Sequence, residues 1–247
     1  MGRLIGGLLD NDSTFGRIMT KYGIIIGANL MFALFSLPVV TIGPGLAALY
    51  YVMLKTLRGD GVLNPFREFW EGFKMNFRQG IVCWIAFLVL GAFLILDIRF
   101  CRYMGGIWNI FKYALYAMGI LLIFLAIYLM PVMAAFADTI PHLIRNAFFF
   151  ASRRPLKMIL AAALYVIPIG VTYLDTRMRP LYGFLWTVCG FGLIAMMVSE
   201  LLIRDFEQYL LPAEDAIAEN TQEREGEATA FGKSEREILG EMKKLDK

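Results

Sequence analysis

Apolar residues gather along this chain in long unbroken blocks instead of alternating with polar ones. The blocks cover 22–42, 81–96, 113–137, 158–174 and 182–203. A hydrocarbon core of roughly 30 Å takes about 20 helical residues at ~1.5 Å each. The pattern therefore predicts an all-α fold: a polytopic transmembrane helical bundle in a lipid bilayer. Segment 43–57 is ambiguous. It opens on Gly43-Pro44-Gly45, a good helix start. Its apolar run before Lys55 is only about 11 residues, ~16 Å of helix. It is either a re-entrant half-helix or a short span with Lys55 snorkelling to the interface.

Positive charge decides between these. If 43–57 crosses, 13 basic residues of the body fall on one side and 5 on the other; if it does not, the division is 10 to 8. The positive-inside bias favours the first. The expectation is about six spans, the second short, with both termini cytoplasmic.

Two inward connections have a pattern of their own. In 64–80, Phe66, Phe69, Trp70, Phe73 and Phe77 recur at helical spacing among Arg67, Glu68, Glu71, Lys74 and Arg78. Asn64 is placed to cap and Pro65 suits the first helical position. In 139–157, Leu143, Ile144, Ala147, Phe148 and Ala151 form an apolar stripe beside Arg145, Arg153, Arg154 and Lys157. Both read as amphipathic helices lying in the cytoplasmic interface. Each leads through basic residues into a span, which is either a weak internal repeat or the ordinary topology signal.

Composition adds a second object. The chain is 58% hydrophobic and 18% charged, outside the range of ordinary soluble domains. Residues 1–211 carry a net charge of +7 and residues 212–247 a net −4. The first range is the membrane domain; the second is an acidic, flexible cytoplasmic tail, with Ser234 and Glu237 able to box a short terminal helix. In that tail, 230–234 reads AFGKS, but a phosphate-binding loop needs glycine where Glu227 stands. Nucleotide binding is rejected there, and no nucleic-acid partner is expected. Cys83, Cys101 and Cys189 are widely spaced and His142 is the single histidine, so no metal, cofactor or catalytic constellation is expected. No removed leader peptide is expected either.

The candidate solute or packing residues are few. Asn29 is the strongly polar side chain deep in the first block, and Gly23 and Gly27 precede it at small-xxx-small spacing. Helix packing is the plain reading and solute contact the sharper one. Ser36, Pro38, Thr41 and Pro44 break the helix within SLPVVTIGP. Broken backbone at membrane depth must be shielded by protein or line a wet cavity; a tight hairpin is the simpler account. Glu200 lies in an apolar run with Arg204 four residues on, so an ion pair competes with an ion or proton site. Asp138 and His142 share the same spacing at a helix end. Arg67, Lys74, Arg78, Arg153 and Arg154 are the candidate cytoplasmic contact surface; recognition of anionic lipid competes with a plain topology signal.

Asn29, the run Ser36–Pro44, Ala48-Leu49-Tyr50-Tyr51, Lys55, Arg58 and the Phe69–Phe77 pattern together resemble the YesL family of bacterial membrane proteins of unknown function. The resemblance covers about the first 80 residues well and the later spans loosely. It implies a Gram-positive bacterial plasma-membrane location and an association with carbohydrate transporters and their sensor kinases. It supplies no catalytic residues. The expected function is a non-enzymatic accessory or regulatory component of carbohydrate uptake or its signalling. The alternative is a small-solute transporter or channel using the broken first hairpin. An importer-type cytoplasmic loop for engaging an ATPase is not seen in the sequence, which weakens a permease-subunit reading.

Overall fold

The computed structural model describes residues 14–59, 63–136 and 138–209. The acidic linker and the terminal helix expected around Ser234 lie outside the described residues. The chain divides into two compact units, Met1–Ile203 and Arg204–Lys247. The second is described only over 204–209, which is helical.

The described residues are all-helical. Helix α1 covers Thr14–Phe35, and a 3-10 turn at Val39–Thr41 leads into α2, Ile42–Arg58. Helix α3 is Pro65–Met104, α4 is Trp108–Ala135, α5 is Ile140–Arg153 and α6 is Pro155–Leu174. Helix α7 runs over Arg179–Tyr209 and contains one π-turn, Trp186–Gly190. Among the described residues, six helical segments are long and apolar enough to cross a membrane: α1, α2 with its preceding 3-10 turn, α3, α4, α6 and α7. The protein is thus a polytopic helical bundle.

Helix α3 corrects one expectation. The segment 64–80 is not a separate interfacial helix: it continues without a break into the apolar block, giving one helix of 40 residues. At ~1.5 Å per residue that is about 60 Å, twice a hydrocarbon core. Nothing between Arg78 and Ile81 stops a helix. Gly80 there serves a close approach: a Cβ on it would lie 2.7 Å from Pro44 Cα, and one on Gly43 would lie 2.5 Å from Gly80 O. The start of α3 follows the sequence. Asn64 accepts from the N–H groups of Phe66 (3.1 Å) and Arg67 (3.5 Å), and Pro65 opens the helix. Gly105 and Gly106, both at positive φ, turn the chain into α4.

The core sits around α2, which packs chiefly on the first half of α3 and also on α1 and α4. Its Ala47, Ala48, Leu49, Tyr50, Val52 and Met53 are fully buried. Of the six candidate spans α2 is the least apolar yet 61% buried, whereas α3 is the most apolar and 11% buried. That inversion follows from two different solvents. A helix surrounded by protein can be built of small residues, whereas one surrounded by lipid must be apolar on its outer faces. Phe35 at the end of α1 closes the core, with ring centroids 5.9 Å from Phe69, 5.6 Å from Trp70 and 4.9 Å from Phe73.

The second amphipathic segment is a separate helix, α5. Leu143, Ala147 and Ala151 of its stripe are buried, but Ile144 and Phe148 are exposed. The stripe is therefore narrower than the sequence suggested. Phe136 and Phe150 stack at 5.8 Å where α5 folds back on the end of α4.

Candidate functional site

The sequence candidates do not converge on one site. Asn29 is fully buried and its amide is saturated. Its Nδ2 donates to Trp186 O (3.0 Å) and Thr187 O (2.7 Å), and its Oδ1 accepts from Gly192 N–H (2.7 Å). The two carbonyls belong to the π-turn of α7 and Gly192 lies just beyond it; the altered hydrogen-bond register of such a turn leaves partners to be found. Gly192 lets the two helices meet, since a Cβ there would lie 2.9 Å from Ile25 O. Asn29 is a clamp on the π-turn, with no donor left for a solute. Of the expected glycine pair, Gly27 makes a close approach, with a Cβ there falling 2.7 Å from Pro65 Cγ; Gly23 faces open space.

The break after α1 is a closed hairpin turn. Thr41 Oγ1 is within reach of both Phe35 O (2.5 Å) and Pro38 O (2.7 Å), and Trp84 Nε1 donates to Val39 O (2.8 Å). Pro38 is exposed, while Pro44 is buried in the first turn of α2. Ser36 Oγ in this turn is buried without a hydrogen-bond partner, so of the two hydroxyls only that of Thr41 satisfies freed carbonyls. Glu200 lies on an exposed face of α7. The candidate contact residues Arg67, Lys74, Arg78, Arg153 and Arg154 are all exposed. Arg67 pairs with Glu71 at 3.1 Å, Lys74 lies over the Trp70 ring at 4.9 Å, and Arg153 lies over Phe149 at 5.8 Å.

What the sequence did not reveal is a half-enclosed polar cavity of about 540 Å³ between α2, the first half of α3 and the end of α4. Its polar lining includes Tyr51, Lys55 and Arg58 from α2, Asn76 and Gln79 from α3, and Asp138 and Thr139 beyond α4. The Lys55 ammonium meets Glu68 of α3 at 2.6 Å, where α2 packs on α3. Gln79 Nε2 donates to Asp138 O at 2.9 Å and ties α3 to the loop after α4. Asp138 Oδ1 accepts from Thr139 N–H (2.7 Å) and faces His142 Nδ1 (3.1 Å). The Thr139 N–H first, then the neighbouring imidazole, hold the Asp138 carboxyl below the usual carboxylate range. Lys55, Arg58 and Asn76 were visible as polar residues near the ends or middle of helices. Their meeting with 138–139 was not, since it depends on the crossing of three elements.

Among the described residues, no group of three His, Cys, Asp or Glu side chains stands together to hold a metal ion. Cys83, Cys101 and Cys189 are free thiols.

Comparison with known proteins points to an uncharacterised group. A family described as a protein of unknown function, DUF624, matches residues 25–98, from within α1 to the apolar half of α3. An uncharacterised protein of Bacillus subtilis (strain 168), YteU, is 25% identical over 107 residues, covering 43% of this chain and 48% of the relative. The chain thus spans about half the length of that curated relative. No solved structure matches.

Proposed function

We propose that this chain is a non-enzymatic accessory or regulatory membrane protein that docks a partner through an exposed basic and aromatic face. The observation that carries the reading is the stripe on α3 where Arg67, Trp70, Lys74, Phe77 and Arg78 all stay exposed although Phe69, Gly72, Phe73 and Asn76 of the same half-helix are buried. Helix α5 offers the same chemistry, with Phe148 and Phe149 exposed beside Arg153 and Arg154. Exposed aromatics among arginines have the composition of interaction hot spots, and the charge suits an acidic partner surface. The competing reading, a solute path through the first hairpin, is disfavoured because Asn29 and Thr41 spend their polar atoms on the protein's own backbone.

The partner class comes from the resemblance to the YesL family: a carbohydrate transporter or sensor-kinase subunit in a bacterial plasma membrane. The basic face would then be cytoplasmic, together with both termini. The test is photocrosslinking in cells from p-benzoylphenylalanine placed at Trp70 or at Phe148. The reading expects a discrete adduct with a transporter or kinase subunit from both positions. Adducts with lipid alone, or proteoliposomes that pass sugars or ions through the purified chain, would overturn it.

A further inference from the structure

We infer that the groove between α6 and α7 is a fixed site for one acyl chain of a phospholipid, with the phosphate held at Arg177 and Arg179. The site lies apart from the docking face and from the polar cavity, and stands without either.

The groove exists because the α6–α7 hairpin is open. A short turn, 175–178, joins the two helices, yet α6 is only 6% buried over its span. Both helices are irregular where they meet: α6 carries Pro168, and α7 has its π-turn at Trp186–Gly190. Trp186 Nε1 donates to Thr172 Oγ1 at 3.0 Å, and that hydroxyl donates to Pro168 O at 2.8 Å. Around this bridge lies a half-enclosed groove of about 360 Å³, walled by Pro168, Val171 and Thr172 of α6 and by α7 between Tyr182 and Met197. Small-molecule sites span roughly 300–1,000 Å³.

Two properties name the occupant. The first is chemistry. The polar side chains of the lining are spent on the protein: Thr172 and Trp186 on their bridge, and the Tyr182 hydroxyl on Asp175 Oδ2 at 3.0 Å. Water needs several polar partners and finds none there, while an empty apolar gap forfeits dispersion contacts. Both walls are membrane-crossing helices by length and apolarity, so the surrounding solvent is hydrocarbon chain. The second property is width. From Tyr182 to Met197 is about 22 Å of helix, which leaves the groove about 16 Å² in section. A helix about 10 Å across does not enter it; a single hydrocarbon chain does.

The mouth selects the head group. Asp175 sits at the Tyr182 end, where its Oδ1 accepts from the Arg177 N–H at 3.0 Å. Arg179 precedes Tyr182 by three residues on α7 and so stands on the same face. The side chains of Arg177 and Arg179 are exposed and form no ion pair among the described residues. Two guanidiniums against one carboxylate leave one positive charge in excess, and their planar donor forks match a phosphate. A phospholipid is the bilayer component that joins such a head to such a chain.

The test uses the purified full chain in detergent, titrated with dioleoylphosphatidylglycerol carrying a diazirine near the end of one chain. After photolysis, adducts on Leu193 and Met197 should saturate at one lipid per chain and fall with excess unlabelled lipid. Adducts on Val89 and Leu90 of α3, an open lipid face, should rise without saturating. Dioleoylglycerol, which has the same chains and no phosphate, should compete several-fold more weakly. Leu193→Trp fills the groove and should abolish the saturable label. Arg177→Gln with Arg179→Gln leaves the groove open and should raise the half-saturating concentration several-fold; it decides the matter even where Leu193→Trp fails to fold. In cells, p-benzoylphenylalanine at Met197 should give phospholipid adducts. Groove label that never saturates, equal competition by dioleoylglycerol, label that survives in Leu193→Trp, an unchanged half-saturation in the arginine pair, or a Met197 adduct with a second copy or another protein would each overturn the inference.

Discussion

The two ends of helix α3 belong to different worlds. Its first half is held by α1 and α2 through glycines and stacked rings, with Phe69 and Phe73 buried and Gly72 pressed against Tyr51. Its second half presents Val89, Leu90, Phe93, Ile95 and Leu96 outward, and Gly91 has nothing within 4 Å of where its Cβ would be. Within one continuous helix, specificity therefore resides in small and polar residues where protein is the neighbour. Plain apolarity suffices where lipid is the neighbour. This matches the general finding that helices in membranes associate by close packing and hydrogen bonds, since lipid tails are as apolar as leucine.

The largest contrast should come from glycine replacements. Gly43→Ala would put a methyl 2.5 Å from Gly80 O and 2.6 Å from Trp84 Cβ. It should cost about 3 kcal/mol in reversible unfolding from detergent. Gly91→Ala should change stability by less than about 1 kcal/mol, on the stabilising side. Equal effects would erase the distinction between the two halves.

A smaller contrast concerns amides. Asn29→Leu leaves Trp186 O, Thr187 O and Gly192 N–H without their side-chain partner, and should cost about 2 kcal/mol in the same assay. Asn109→Leu, at the exposed tip of the α3–α4 hairpin, should stay within about 0.5 kcal/mol. The clamp on the π-turn predicts a further sign. Amide hydrogen exchange around 186–192 should quicken in Asn29→Leu while 85–95 is unaffected.

The smallest effect is one of pH. The Asp138 carboxyl is lowered by the Thr139 N–H and by His142. A carboxyl lowered on folding adds stability that is full above its unfolded value of about 3.9. That stability is lost as pH falls through the lower folded value. Thermal midpoints of the native chain and of Asp138→Asn should therefore differ most above pH 4 and converge below it. Convergence on raising the pH instead would contradict the assignment.

How much of this was legible in the sequence depends on which neighbour a residue has. The lipid-facing blocks were readable because bilayer thickness fixes their length and composition. Asn64 with Pro65 was readable because a cap is a local device. The 13-to-5 division of positive charge selected a crossing α2, and Val39–Arg58 is one of the six apolar helical segments. The join at Gly80 was not legible: a change from an amphipathic to an apolar pattern marks a change of surroundings, and the backbone runs through it as one helix. The partners of Asn29 could not be found, because they arise from a π-turn 157 and 158 residues further along the chain. The cavity was hidden for the same reason: Arg58, Asn76 and Asp138 have no shared spacing.

The most direct measurement is labelling by a photoactivatable diazirine phospholipid in reconstituted vesicles, mapped by mass spectrometry. The account predicts label on Val89, Leu90, Phe93 and Leu96 of α3 and none across Ala47–Met53 of α2. Label distributed along α2, with the second half of α3 protected, would contradict it.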